Sequence, residues 1–269
     1  MNDELLRSLD VPLPPGRLIR ADEGGGVPVL WLSDGPVPGE VWERLHAAHP
    51  GSGVWPLLLD SEVGGDDAFR PWETGELYPG YVSSPGKHDP GVLLAEWWSQ
   101  YTAPDEDDDD LSAEERLAVT APFGTAWPGL APRREPGAEP GKTAAEFAHD
   151  FAAHRPQVRL GLVAAGRGSD ALAAMGWSGP ANYDNDTAKF AAVVRDWEQR
   201  FGARVVALDF GTLHLSVAAP PTTKEEALHV AAEHFAFCPD TIWQGADPNT
   251  LEAYAESIIG DHGWGFWWD

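Results

Sequence analysis

Asp186-Thr-Ala-Lys-Phe190-Ala-Ala-Val193-Val194-Arg-Asp-Trp197-Glu-Gln-Arg-Phe201-Gly202, followed by Arg204-Val-Val-Ala-Leu208 and Leu213-His-Leu-Ser-Val-Ala218, is the stretch that decides the fold. Phe190, Val193, Val194, Trp197 and Phe201 recur at helical spacing and form one apolar stripe. Asp186 stands where a cap must accept the free N–H groups of the first turn, and Gly202 stands where a helix ends in the left-handed region. The two Val- and Leu-rich arms around Phe210-Gly211 read as a hairpin, closed by Pro220-Pro221. A long helix running into an antiparallel pair predicts an α+β fold, a mixed sheet flanked by helices.

Working outward, Thr223-x-x-Glu226 is a capping box that opens a helix over 223–237, stopped by Pro239. Asn249 reads as the cap of a final helix with Leu251, Tyr254, Ala255 and Ile258 inward, and Trp264-Gly-Phe266-Trp267-Trp268-Asp269 as an edge strand or a lid. Upstream, Thr143-x-x-Glu146 opens a helix carrying Phe147 and Phe151, and 158–164 is a strand. Near the start, 27–32, 39–49 and 54–59 read as strand, helix and strand, with Val41, Trp42, Leu45 and Ala48 on one side of the helix. Asp89-Pro90 leads into Leu93, Leu94, Trp97, Trp98 and Tyr101, and Ser112-x-x-Glu115 is another capping box. Residues 122–141 are rich in Pro and Gly without periodicity. The expected organisation is a smaller Pro/Gly-rich N-terminal α/β region over 1–121, a linker over 122–141 and an α+β module over 142–269.

The run EEALHVAAEHFAFCPD with the terminal WGFWWD resembles the bacterial family carrying the domain of unknown function 4253, over roughly Val158 to the C-terminus. The resemblance implies a compact α+β module. It implies no activity, because that family is uncharacterised.

Composition narrows the partners. The 269 residues are 43% hydrophobic with 13 tryptophans, enough for a substantial core. One cysteine, Cys238, excludes an internal disulfide framework and suits a reducing compartment. MNDELLRSLD has neither a basic n-region nor an apolar h-region, and no apolar run reaches the roughly 18 residues of a membrane span. A cytoplasmic protein without membrane contact is expected. The net charge of −25 opposes nucleic-acid binding, since each phosphate contact would form against a repulsive field. Residues 61–150 hold 19 acidic and 6 basic side chains, a window of −13 centred on Asp105, Glu106, Asp107, Asp108, Asp109 and Asp110. A solvated loop explains this run; the sharper reading is a bait for a basic protein, in a non-catalytic, immunity-like or regulatory role. EF-hand spacing is missing.

Chemistry-bearing residues concentrate on the helix with His229, Glu233, His234 and Cys238. The two histidines are five apart, so they diverge and do not form an H-E-x-x-H zinc helix. His234 and Cys238 do share a face at i,i+4 spacing, and with Asp240 or His214 they could hold zinc in a metal-assisted hydrolase. A core histidine beside a buried thiol explains the same pair, and a helix C-terminus disfavours a nucleophilic thiolate. No cofactor is expected. Gly166-Arg-Gly168-Ser-Asp-Ala171 matches G-x-G-x-x-A, but a turn with Ser169 as helix cap accounts for it. Asp184-Asn185-Asp186 reads as turn chemistry rather than a cation site. Trp243, Trp264, Trp267 and Trp268 could form an aromatic cage for a sensed small ligand, or close the core. A helix-then-strand echo links Trp42-Glu43 before 54–59 to Trp197-Glu198 before 204–208.

Overall fold

The computed structural model describes residues 1–21, 26–61, 69–103, 112–245 and 247–269. Among these, one mixed sheet contains β1 (Gly16–Arg20), β2 (Pro28–Pro36), β3 (Val54–Leu59), β4 (Arg159–Ala164), β5 (Ala203–Leu208), β6 (Thr212–Val217) and β7 (Gly263–Trp267). Its order is β1-β2-β4-β3-β5-β6-β7. Every neighbouring pair is antiparallel except β3 and β5, where Leu58 faces Ala207 and Leu59 faces Leu208 in parallel register. The helices are α1 (Asp3–Arg7), α2 (Gly39–Ser52), α3 (Arg70–Thr74), α4 (Pro90–Thr102), α5 (Ala113–Val119), α6 (Pro140–His154), α7 (Gly168–Met175), α8 (Thr187–Arg200), α9 (Lys224–Phe237), α10 (Asp240–Trp243) and α11 (Leu251–Ser257). None is long and apolar enough to cross a membrane.

Strand alternation separates two cores. Trp55, Leu57 and Leu59 of β3 join one cluster, while Val54 and Leu58 join the other. On the second face, α2 and α6 pack together through Trp42, Leu45, Ala144, Ala148 and Phe151. On the first lie α4, α7, α8 and α9, with α11 over α9. The terminal segment is an edge strand: Trp264, Phe266 and Trp268 point inward, and Trp267 is 45% exposed.

The caps at Asp89, Ser112, Asp186 and Thr223 form as their sequences predict. Three helix starts differ. α6 begins at Pro140 rather than Thr143, because the Glu139 carboxylate accepts the N–H groups of Gly141 and Lys142 at 2.9 and 2.8 Å while Pro140 needs no partner. Thr250, not Asn249, caps α11; Asn249 spends its amide on the Trp243 carbonyl at 2.9 Å. At α7 the cap position is Arg167, without a side-chain cap bond.

The segment expected as a linker is seated on the core, and strands from both sides of it share the sheet. Ala131 is buried, and its N–H donates at 2.7 Å to Oε1 of Glu233, itself fully buried on α9. Arg200 of α8 grips the same carboxylate through two N–H groups at 2.9 and 2.6 Å, and Trp197 Nε1 donates at 2.7 Å. Four donors therefore satisfy one buried charge, which removes the desolvation cost an unpaired carboxylate would carry. Removing the charge leaves the buried Arg200 with Asp196, one turn back on α8, as its ion partner and strips two of its N–H groups of their carboxylate. Glu233→Gln should cost about 2–3 kcal/mol in urea denaturation, the scale of hydrogen bonds to a charged group. A loss below about 1 kcal/mol would show that these donors are satisfied elsewhere.

Candidate functional site

A cleft of about 460 Å³ opens at the N-terminal end of the parallel β3/β5 pair. It lies opposite to the C-terminal crevice where open α/β sheets usually bind ligands. The chain brings six short pieces there. α2 supplies His46 and His49, one and two turns after Trp42; β3 supplies Trp55; the start of α6 supplies Glu139 and Gly141; the β4–α7 turn supplies Arg167; α8 supplies Glu198; and the start of β5 supplies Arg204.

Aromatic packing fixes the imidazoles. His46 lies flat on Trp42, with centroids 4.7 Å apart, and edge-on to Trp55 at 5.0 Å. A side chain at Gly141 would press on the His46 ring, its Cβ only 3.1 Å from Cε1. Burial first, then the nearby Arg204 charge, pulls the His46 pKa down to about 4, with Glu139 opposing. His46 is therefore neutral at pH 7. His49 contacts the Ala165 carbonyl at 2.9 Å through Nε2, which carries a proton there because a carbonyl oxygen only accepts.

Glu198 is the unusual carboxylate. Its side chain is 7% exposed, Oε1 accepts the Ser169 N–H at 2.9 Å, and Oε2 is 3.8 Å from Arg167 Nη1. Burial raises its pKa in spite of that N–H and the charges of Arg204 and Arg167. Arg204 lies close enough to act on His46, Glu139 and Glu198, yet among the described residues it is ion-paired with no carboxylate. Its Nη1 donates to the Ala203 carbonyl at 2.7 Å. A cation paired with no described carboxylate thus shares a cleft with a half-satisfied acid.

The Gly166–Ala171 segment lines this cleft without forming a dinucleotide site. Glu198 already occupies the Ser169 N–H that a pyrophosphate would need, and β4 runs antiparallel to β3. Gly168 is required by contact, since a Cβ there would sit 2.8 Å from the Trp55 ring.

The zinc candidates are not brought together. His234 is fully buried among Trp197, Trp264 and Phe266, with Nδ1 2.9 Å from the Tyr254 hydroxyl. Cys238 donates its thiol to the Trp267 carbonyl at 3.0 Å, and burial pushes its pKa up to about 12. Asp240 accepts from the Tyr183 hydroxyl at 2.7 Å, from Gln244 Nε2 at 3.1 Å and from the Asp269 N–H at 3.2 Å. His214 projects from the other face of the sheet, against Phe151. Among the described residues no three His, Cys, Asp or Glu side chains are placed to hold a metal. Asp105–Asp110 lie outside the described residues. Trp264 and Trp268 are core, and Trp243 packs on Tyr101 and Phe235.

Ser83, His88 and Asp186 also meet. Ser83 Oγ is 2.7 Å and Asp186 Oδ2 3.6 Å from the same nitrogen, His88 Nε2, so the ring cannot relay a proton between them. Asp184 pairs with Lys189, and Asp186 caps α8, which accounts for the Asp-Asn-Asp turn.

Residues 159–269 match the family model described as Domain of unknown function (DUF4253). No curated protein and no solved structure matches the chain. The match includes Arg167, Glu198 and Arg204 of the cleft, while His46, His49, Trp55 and Glu139 come from the chain before it.

His46 and His214 are held down to about 4 and His234 to about 3, mainly by burial, against an ordinary 6.5. Their neutral forms stabilise the fold fully above pH 6.5, and this contribution is lost as pH falls toward the folded values, because only the unfolded chain takes up the protons. Each should steepen the loss by about 1.4 kcal/mol per pH unit. Urea midpoints between pH 7 and 5 should fall more gently in His234→Phe than in the wild type. Equal slopes would mean that His234 titrates normally.

Proposed function

We propose that this DUF4253-carrying chain is a small-ligand-binding protein whose site is the cleft between His46, Glu198 and Arg204. One observation carries the reading: an arginine that is ion-paired with no carboxylate among the described residues is placed beside the neutral His46 imidazole and a poorly satisfied buried carboxyl, in a space of about 460 Å³. The Arg200–Glu233 pair in the core is closed by contrast, each group bonded to the other and shielded from water. Open groups in a concave, partly aromatic space are what a ligand completes. The cleft's construction supports a sensing role, because a ligand there would touch α2, α6, α8, the β4–α7 turn and two strands at once. The lone thiol of Cys238, buried and bonded to a carbonyl, supports a setting in the reducing cytoplasm.

Thermal-shift screening against a broad set of small polar metabolites tests this. At least one compound should stabilise the wild type, with the shift abolished in Arg204→Gln while the unliganded melting temperature stays within a few degrees. Stabilisation that survives Arg204→Gln, or no stabilising compound at all, contradicts the proposal.

A further inference from the structure

The charges around the cleft balance and are separated. Arg204 and Arg167 supply two positive groups; Glu198 and Glu139 supply two carboxyls; both imidazoles contribute hydrogen-bonding atoms, and burial holds His46 uncharged. Glu139 is already committed as the cap of α6, and Arg167 stands 3.8 Å from both Asp170 and Glu198. The two groups with capacity to spare are therefore Arg204, a donor fork, and Glu198, an acceptor with one short hydrogen bond. A ligand that satisfies both must carry an anion and a cation together.

From this juxtaposition we infer that the cleft binds a zwitterion of the α-amino-acid class, its carboxylate on Arg204, its ammonium on Glu198 and its side chain along the Trp55 and His46 rings. The inference rests on the ligand-binding reading above and narrows it. A guanidinium fork matches a carboxylate through paired N–H donors. An ammonium would give Glu198 the charge-assisted bonds it lacks, which offsets its burial. Polyanions fit poorly: a nucleotide or polyphosphate would meet two carboxyls inside the cleft and the −25 charge of the chain outside it. A simple dicarboxylate would leave Glu198 facing a second negative charge. The volume suits a single amino acid or a dipeptide rather than a longer peptide.

Isothermal titration of the full-length chain with each proteinogenic L-amino acid, and with the N-acetyl and carboxamide derivatives of whichever binds, tests the assignment. At least one free amino acid should bind. Deleting either ligand charge should weaken it by at least about tenfold, since each leaves a protein charge facing an uncharged group. The variants should cross over: Arg204→Gln weakens the free amino acid but leaves the carboxamide unchanged, and Glu198→Gln weakens the free amino acid but leaves the N-acetyl form unchanged. Melting curves of both variants verify folding, and Arg204→Lys, which keeps the charge, should recover part of the affinity. Equal binding of the N-acetyl form overturns the assignment. If phosphate, AMP or succinate binds through Arg204 while no amino acid does, the zwitterion is wrong and the ligand-binding cleft stands. If none of these and no metabolite in the broader screen binds, both are wrong.

Discussion

The carboxylate of Glu233, fully buried and held by Arg200, Trp197 and the Ala131 N–H, is the contact on which the arrangement of helices over the sheet depends. It joins α8 to α9 and pins the extended segment around Ala131 across both. An ion pair in this position contributes less net energy than an apolar contact of the same size, but it tolerates only one geometry. Sliding α8 by a residue would break three bonds to a group with no access to water.

That constraint reaches the cleft through the last turn of α8. Trp197 and Arg200 face Glu233, while Glu198, between them in sequence, points the other way and takes the Ser169 N–H at the start of α7. One helical turn thus holds a closed charge set on one side and an open one on the other. Arg204 follows four residues after Arg200, at the beginning of β5, and reaches the cleft because Gly202, at φ +63°, turns the chain from helix into strand. The two arginines have the same chemistry. Their surroundings make one structural and leave the other with donors to offer.

Much of this architecture is legible locally. The caps at Asp89, Ser112, Asp186 and Thr223 and the stripe from Phe190 to Phe201 depend on neighbours within a turn or two, and all are present. The start of α6 is not read from its Thr-x-x-Glu pattern because Glu139-Pro140 competes as a stronger beginning. The helix-then-strand echo is real as geometry, since α2 and α8 precede the neighbouring parallel strands β3 and β5. Trp42 and Trp197 nevertheless pack on opposite faces of the sheet. The cleft itself is invisible to periodicity. Its residues are far apart in sequence, and they meet because β3 pairs with β5 on one side and with β4 on the other. His46 and His49, one turn apart beside Trp42, are the local trace of it. The His234–Cys238 spacing, by contrast, is a core contact, each residue already satisfied by a neighbour unrelated to the other.

The account therefore separates a closed charge set from an open one, and arginine side-chain NMR observes both in a single spectrum. The Arg200 Nη–H signals, from the groups that bind Glu233, should be protected from solvent exchange and unmoved by a saturating mixture of free amino acids, while the Arg204 signals exchange quickly without ligand and shift and sharpen with it. An Arg200 signal exchanging at the solvent rate, or an Arg204 signal that ignores every ligand, would contradict the account.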